Sequence, residues 1–183
     1  ITKIMDDALL HRMGDKKDSL FMRADTFLYS NDTITKRRKL LALRSVKIWQ
    51  PQFSGFCDSL KYNMEDSVIR FFGSPVLYNE TAQLSADSMR MKMHNNQLET
   101  MWMYQNAMNV LKEDSNKFSQ IVGNTIINYF EDGTKDLTLS HVIGNCESIY
   151  FIREKDSIIS NANRVSSSEM KIVMRERKVA TIK

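Results

Sequence analysis

One short phrase recurs along this chain and constrains its fold more than any other feature. It consists of a small residue, Asp or a polar stand-in, a polar residue (usually Ser or Thr), an apolar residue, any residue, and usually a second apolar one. It reads Ala24-Asp25-Thr26-Phe27-Leu28-Tyr29, Cys57-Asp58-Ser59-Leu60-Lys61-Tyr62 and Ala86-Asp87-Ser88-Met89-Arg90-Met91. Weaker copies are Gly123-Asn124-Thr125-Ile126-Ile127-Asn128, Cys146-Glu147-Ser148-Ile149-Tyr150-Phe151 and Ser167-Ser168-Glu169-Met170-Lys171-Ile172. The first apolar position falls at 27, 60, 89, 126, 149 and 170. Such a phrase suits a bend leading into a strand: the small residue sits where backbones crowd, Asp and Ser cap free N–H groups, and the apolar residues point inward.

A second phrase lies between the copies: Ser45-Val46-Lys47-Ile48, Ser74-Pro75-Val76-Leu77, Asn106-Ala107-Met108-Asn109-Val110 and His141-Val142-Ile143-Gly144. Each layer therefore holds at least two strands. A unit this small cannot bury its apolar face alone and must stack on its neighbours. The competing reading is an ordinary β-sandwich whose strands resemble one another by chance.

Between the phrases the periodicity is two: Met89, Met91 and Met93 alternate with Arg90 and Lys92, and Ile69 and Phe71 flank Arg70. Asp132-Gly133, His94-Asn95-Asn96, residues 63–66 and Gly73-Ser74-Pro75 supply turn chemistry. Many short strands and little helix are expected. Helical spacing competes only at Ile4, Ala8 and Leu9 and around residues 40–43.

At 183 residues, 42% hydrophobic and 26% charged, the chain suits one domain with a real core rather than disorder. With Gly 6 and Pro 2, collagen, low-complexity linkers and glycine-rich phosphate loops are excluded as general descriptions. No apolar run approaches the roughly 20 residues of a membrane-spanning helix. The start, Ile1-Thr2-Lys3-Ile4-Met5, lacks an apolar leader core and an initiating Met, and is read as an internal boundary. Residues 1–15 are expected as a boundary segment, and 16–183 as a single β domain.

Charge is uneven. Residues 1–50 carry 11 basic and 6 acidic side chains, 51–150 carry 7 and 12, and 151–183 carry 8 and 4. The dense basic run Lys36-Arg37-Arg38-Lys39 suits a solvated loop, and the acidic middle speaks against a nucleic-acid groove along the domain. His11, His94 and His141 are scattered, with no zinc-like spacing, so no metal and no catalytic residue is expected. Asp-Ser pairs recur at repeat positions, where one catalytic site would not be copied six times. The enzyme alternative is a polysaccharide-active β-helix gathering Asp58, Asp87 and Arg90, and a third reading is a ligand-free structural or adhesive solenoid. Cys57 and Cys146 share the small-residue slot of two copies with two others between them, so their sulfurs are expected to lie too far apart to bond.

The phrases 54–63 (Ser-Gly-Phe-Cys-Asp-Ser-Leu-Lys-Tyr-Asn), 66–77 (Asp-Ser-Val-Ile-Arg-Phe-Phe-Gly-Ser-Pro-Val-Leu) and 83–88 (Gln-Leu-Ser-Ala-Asp-Ser) resemble the OstA-like (organic solvent tolerance) family. Phe118-Ser119-Gln120-Ile121-Val122-Gly123-Asn124 and Val142-Ile143-Gly144-Asn145 fit the same pattern, so the resemblance spans roughly residues 16–180. That family includes LptA, LptC and the N-terminal domain of LptD. The resemblance implies an elongated, twisted, V-shaped β jelly roll in the Gram-negative periplasm, associated with outer-membrane biogenesis. It implies lipopolysaccharide as ligand, with lipid A acyl chains in an apolar interior. It also implies related Lpt-type β domains, or further copies, as partners stacked edge to edge.

The residues themselves suggest where such a slot would lie. Twelve Met in one chain of this length is high, and flexible thioethers suit a surface that accommodates mobile acyl chains. Met89, Met91, Met93, Met101 and Met103 form a candidate wall, although each alone also reads as core filling. Phe27, Leu60, Ile126 and Ile149 share the repeat column of Met89, and Tyr29, Tyr62 and Phe151 share that of Met91. Ile69 and Phe71 complete the set. No cofactor is implied.

Overall fold

The computed structural model describes residues 1–12, 19–35, 37–51, 53–95, 97–133, 136–153, 159–175 and 178–183. Among them lie thirteen strands and no helix. In chain order these are β1 (Thr2–Arg12), β2 (Leu20–Asn31), β3 (Arg38–Gln50), β4 (Phe53–Asn63), β5 (Val68–Phe72), β6 (Val76–Tyr78) and β7 (Ala82–Ser85). They continue as β8 (Ser88–His94), β9 (Gln97–Asp114), β10 (Lys117–Phe130), β11 (Leu137–Arg153), β12 (Ile159–Arg175) and β13 (Lys178–Ile182).

Every pairing is antiparallel, in the order β1-β2-β3-β4-β5-β8-β9-β10-β11-β12-β13, with β6 and β7 forming a second path from β4 to β9. The pairs β4-β5-β8-β9-β7-β6 therefore close a six-strand ring, and the whole is an all-β, jelly-roll-like fold. The ring arises because β4 divides its partners: residues 59–63 pair with β5 and residues 54–56 with β6. Likewise β9 pairs with β8 through residues 97–104 and with β7 through residues 108–111.

The sheet folds over on itself. Asn109 pairs with Ile121, whereas Asn128 pairs with Met101, eight positions away on β9. In a flat sheet those side chains would stand about 25 Å apart at ~3.3 Å per residue. Instead Asn109 Nδ2 donates to Asn128 Oδ1 at 3.4 Å. One half of each long strand therefore faces the other half across a common interior.

The recurring phrases lie on the fold line. Two consecutive left-handed residues interrupt alternate segments: Asp6-Asp7, Arg44-Ser45, Gly73-Ser74, Gln105-Asn106 and Gly144-Asn145. Facing them, neighbouring segments advance by the single Asp or Asn of the phrase, as where Leu43 pairs with Ser59 and Val46 with Cys57. Two residues against one is a β-bulge, which bends the strand and increases its twist. Small buried residues stack inside the bend: Ala8 faces Ala24, Val46 faces Cys57 and Ala107 faces Gly123, while Cys146, also buried, faces the exposed Ser167 at the last copy.

The Asp side chains act somewhat differently from the expected backbone caps. Asp25 accepts from Arg44 Nε at 3.1 Å, Asp87 accepts from Asn106 Nδ2 at 3.1 and 3.2 Å, and Asp7 pairs with Arg23. They tie one strand's bulge to its neighbour. Turn capping of backbone N–H falls to Asp32, Asp66 and Asn79.

Two organisational expectations change. The strands are not short: β9 has 18 residues and β11 and β12 have 17 each. A bulge breaks the period of two, so one long bent strand reads as two short ones, and the copies lie side by side along one fold line rather than in successive solenoid layers. The expected boundary segment, residues 1–15, supplies the first strand over Thr2–Arg12, paired with β2; residues 13–15 lie outside the described residues.

Candidate apolar slot between the sheet halves

The interior is built from rows of directly opposed residues. One runs Ile4, Phe27, Ala42, Leu60 and Phe71 across β1 to β5. It continues without a break through Met89, Met103, Ile126, Val142 and Met170 on β8 to β12. Ten apolar residues in register cover about 40 Å at the usual strand spacing. A second inner row runs Tyr29, Leu40, Tyr62, Ile69, Met91, Met101, and then Asn128 and Ser140.

These rows gather most of the residues expected from sequence. Phe27, Leu60, Phe71, Met89, Met91, Met101, Met103 and Ile126 are buried in one core cluster, with Tyr29, Tyr62 and Ile69 packed on it half-buried. Met93 lies at the margin, half-buried opposite Leu98.

Ile149 and Phe151 are corrections. Cys146 and Ser148 are the buried residues of that stretch, while Ile149 is 37% exposed and pairs with the exposed Gln120. Phe151 shares its parity and so its outward face. In the copies at 24, 57, 86 and 123 a single unpaired residue follows the small one, opposite the left-handed pair of the neighbouring strand, and this turns the third residue after the small one inward. In β11 the left-handed pair Gly144-Asn145 precedes Cys146 instead, so the second residue, Ser148, points in.

Several lining residues were missed. Ala42, Val142 and Met170 belong to the first row, and Met22, Ile48, Leu77 and Ile121 line the facing half. The second phrase, carrying Ile48, Leu77 and Val142, was the available signal. It lies on the segments that carry the left-handed pairs.

The interior changes character along its length. From β1 to β8 the buried side chains are apolar but for Thr26, whereas Thr100, Asn109, Ser119, Asn128, Ser140 and Ser148, all buried, cluster on β9 to β11. Asn128 Oδ1 accepts from Asn109 Nδ2 at 3.4 Å and from Ser140 Oγ at 2.6 Å, and Asn128 Nδ2 reaches Met103 Sδ at 3.7 Å. This network pins the two halves together at β9 and β10.

At the opposite end the halves part. Thr2, Ile4, Leu9, Leu10, Phe27, Tyr29 and Leu40 line a cleft of about 190 Å³ beside the edge strand β1. Ile4 and Leu9 at its mouth are 53% and 64% exposed. The inner rows open to solvent there.

Cys57 and Cys146 are free, buried thiols. Burial, reinforced by the Asp58 charge, pushes the Cys57 thiol up to about 12, and burial also raises Cys146. Both remain protonated and inert at neutral pH. Among the described residues no three His, Cys, Asp or Glu come together as a metal site. Asp58 and Asp87 lie exposed at the fold line, and Arg90 lies half-buried on the outer face. Of the basic run, Arg37 is exposed just before β3 and Arg38 is exposed at its first position, and Lys36 lies outside the described residues. No described helix is long and apolar enough to cross a membrane.

In comparisons with known proteins, no family model matches the chain, and no curated protein matches it in sequence.

Proposed function

We propose that this chain is a non-catalytic lipopolysaccharide-transport protein of the OstA-like kind, holding lipid A acyl chains between its sheet halves in the periplasm. The observation that carries the reading is the ten-residue apolar row running in register from β12 to the cleft at β1. Burial of apolar surface is non-directional, so such a row accepts acyl chains of varied length without dedicated contacts. Met89, Met91, Met93, Met101 and Met103 on β8 and β9, with unbranched side chains, allow the walls to re-pack around a chain that enters. The Asn109–Asn128–Ser140 network resists the same parting, which favours entry from the β1 side.

Passing lipid onward requires a neighbour, and both ends of the sheet offer one. Among the described residues β1 and β13 each pair on one side only, leaving N–H and C=O groups that template a further strand. The partner in this reading is a related Lpt-type β domain or a second copy.

The test is retention of lipid. Protein purified in mild detergent from a lipopolysaccharide-producing host should carry near-stoichiometric lipopolysaccharide, and a Tyr29→Asp variant that still melts cooperatively should carry little. Folded protein that carries none, or binds only phospholipid, contradicts the reading.

A further inference from the structure

On the outer face of the same sheet, away from the slot, three cations stand in a line. Lys61 on β4 is directly opposite Arg70 on β5, which is directly opposite Arg90 on β8. Neighbouring positions in such a ladder lie about 5 Å apart, and like charges directly opposed repel. The row is closed by apolar side chains: Leu41 opposes Lys61 on one side, and Trp102 opposes Arg90 on the other. All three cations are half-buried, so water screens them poorly.

The compensation present is partial. Asp66 accepts from Arg70 Nη2 at 3.3 Å, and the Arg90 guanidinium lies 4.7 Å above the Trp102 ring. Lys92, nearby, is engaged by Glu99 at 3.0 Å. Among the described residues that leaves three cations facing one carboxylate. Arg70 Nη1 and Arg90 Nε are moreover buried without an acceptor. Buried donors on charged groups are costly to leave unmet, which marks a place where an acceptor belongs.

We propose that Lys61, Arg70 and Arg90 form an anion site for a phosphate monoester on the outer face of the sheet. Guanidinium forks match the oxygens of a tetrahedral phosphate, Lys61 supplies a further charge, and Trp102 holds the Arg90 plane in place. The phosphate comes either from free phosphate or a soluble phosphorylated compound, or from a lipid headgroup. The site lies on the opposite face from the acyl slot and does not rest on the transport reading.

The experiment follows the arginine Nε–H signals in NMR during titration with inorganic phosphate, at ionic strength held constant with sodium chloride. Saturable shifts at Arg70 and Arg90 are expected, weakened about tenfold or more by Arg90→Gln or Lys61→Gln. Exposed Arg44→Gln should bind as the parent does. Because Lys61→Gln removes a repelling charge, its melting temperature should not fall, and it should lose the thermal shift that phosphate gives the parent. Sedimentation with phosphatidylcholine vesicles with and without phosphatidic acid separates the sources. Pelleting only with phosphatidic acid assigns a headgroup, and solution binding without pelleting assigns a soluble phosphate. Shifts that do not saturate, that chloride reproduces, or that survive both substitutions overturn the site. So does selective binding of an acidic peptide with no response to phosphate.

Discussion

A methyl group on Gly73 would lie 2.4 Å from the Cβ of Asp58, with Gly73 itself held at φ +74°. This contact joins a left-handed pair on one segment to the recurring Asp of its neighbour, where the six-strand ring closes. Gly73→Ala should therefore destabilise the fold by about 2 kcal/mol or more, from the left-handed backbone plus the clash. Gly133 provides the comparison: its φ is +90°, but nothing lies within 4 Å of the added methyl. Gly133→Ala should cost only about 1 kcal/mol. Urea unfolding of both variants measures the difference, and equal costs would remove the packing role of the Gly73–Asp58 contact.

The buried amides predict an asymmetry. Asn128 accepts from Asn109 and Ser140, whereas Asn109 already has an unpartnered Oδ1. Asn128→Leu strands two buried partners and should cost about 2–4 kcal/mol, while Asn109→Leu relieves one orphan atom and should cost less than about 1 kcal/mol. Chemical denaturation checks the order, and a reversed order would contradict a network centred on Asn128.

Cys57 gives a pH dependence. Its thiol is raised to about 12 when folded, above the ordinary thiol value near 8.5 expected when unfolded. The unfolded chain therefore loses this proton first. The stabilisation is fully present below about pH 8 and declines as pH rises toward the folded value. Cys57→Ser should flatten the fall in melting temperature between pH 8.5 and 10.5. In native protein at pH 8, Cys57 should resist thiol-reactive disulfides until denaturant is added; rapid native reaction would contradict the burial.

The β class and most of the inner row were legible because each full copy of the phrase fixes a parity. The small residue, one Asp or Asn, and one polar residue always bring the next apolar side chain inward, as at Phe27, Leu60, Met89 and Ile126. What could not be read was on which strand the bulge falls. Gly144-Asn145 places it before Cys146, and that single displacement turned Ile149 and Phe151 outward. Strand length was hidden for the same reason, since a two-residue left-handed step such as Gln105-Asn106 interrupts the alternation that identifies a strand. The fold-over itself depends on pairings between residues distant in sequence. The amide network was also missed: Asn128 occupies the apolar last position of its phrase, and only the contact with Asn109 explains it.

The most direct test of the slot is site-specific photocrosslinking of lipopolysaccharide in cells. A photoreactive amino acid is placed at Phe27, Tyr29 or Tyr62 on the inner rows, and at Leu28 or Trp49, which face outward on the same or the adjacent strand. Lipopolysaccharide adducts are expected at the three inner positions and not at the two outer ones, with Met91→Leu leaving the pattern unchanged. Adducts equally frequent on both faces, or absent from the inner positions in folded protein, would contradict an acyl-chain slot between the sheet halves.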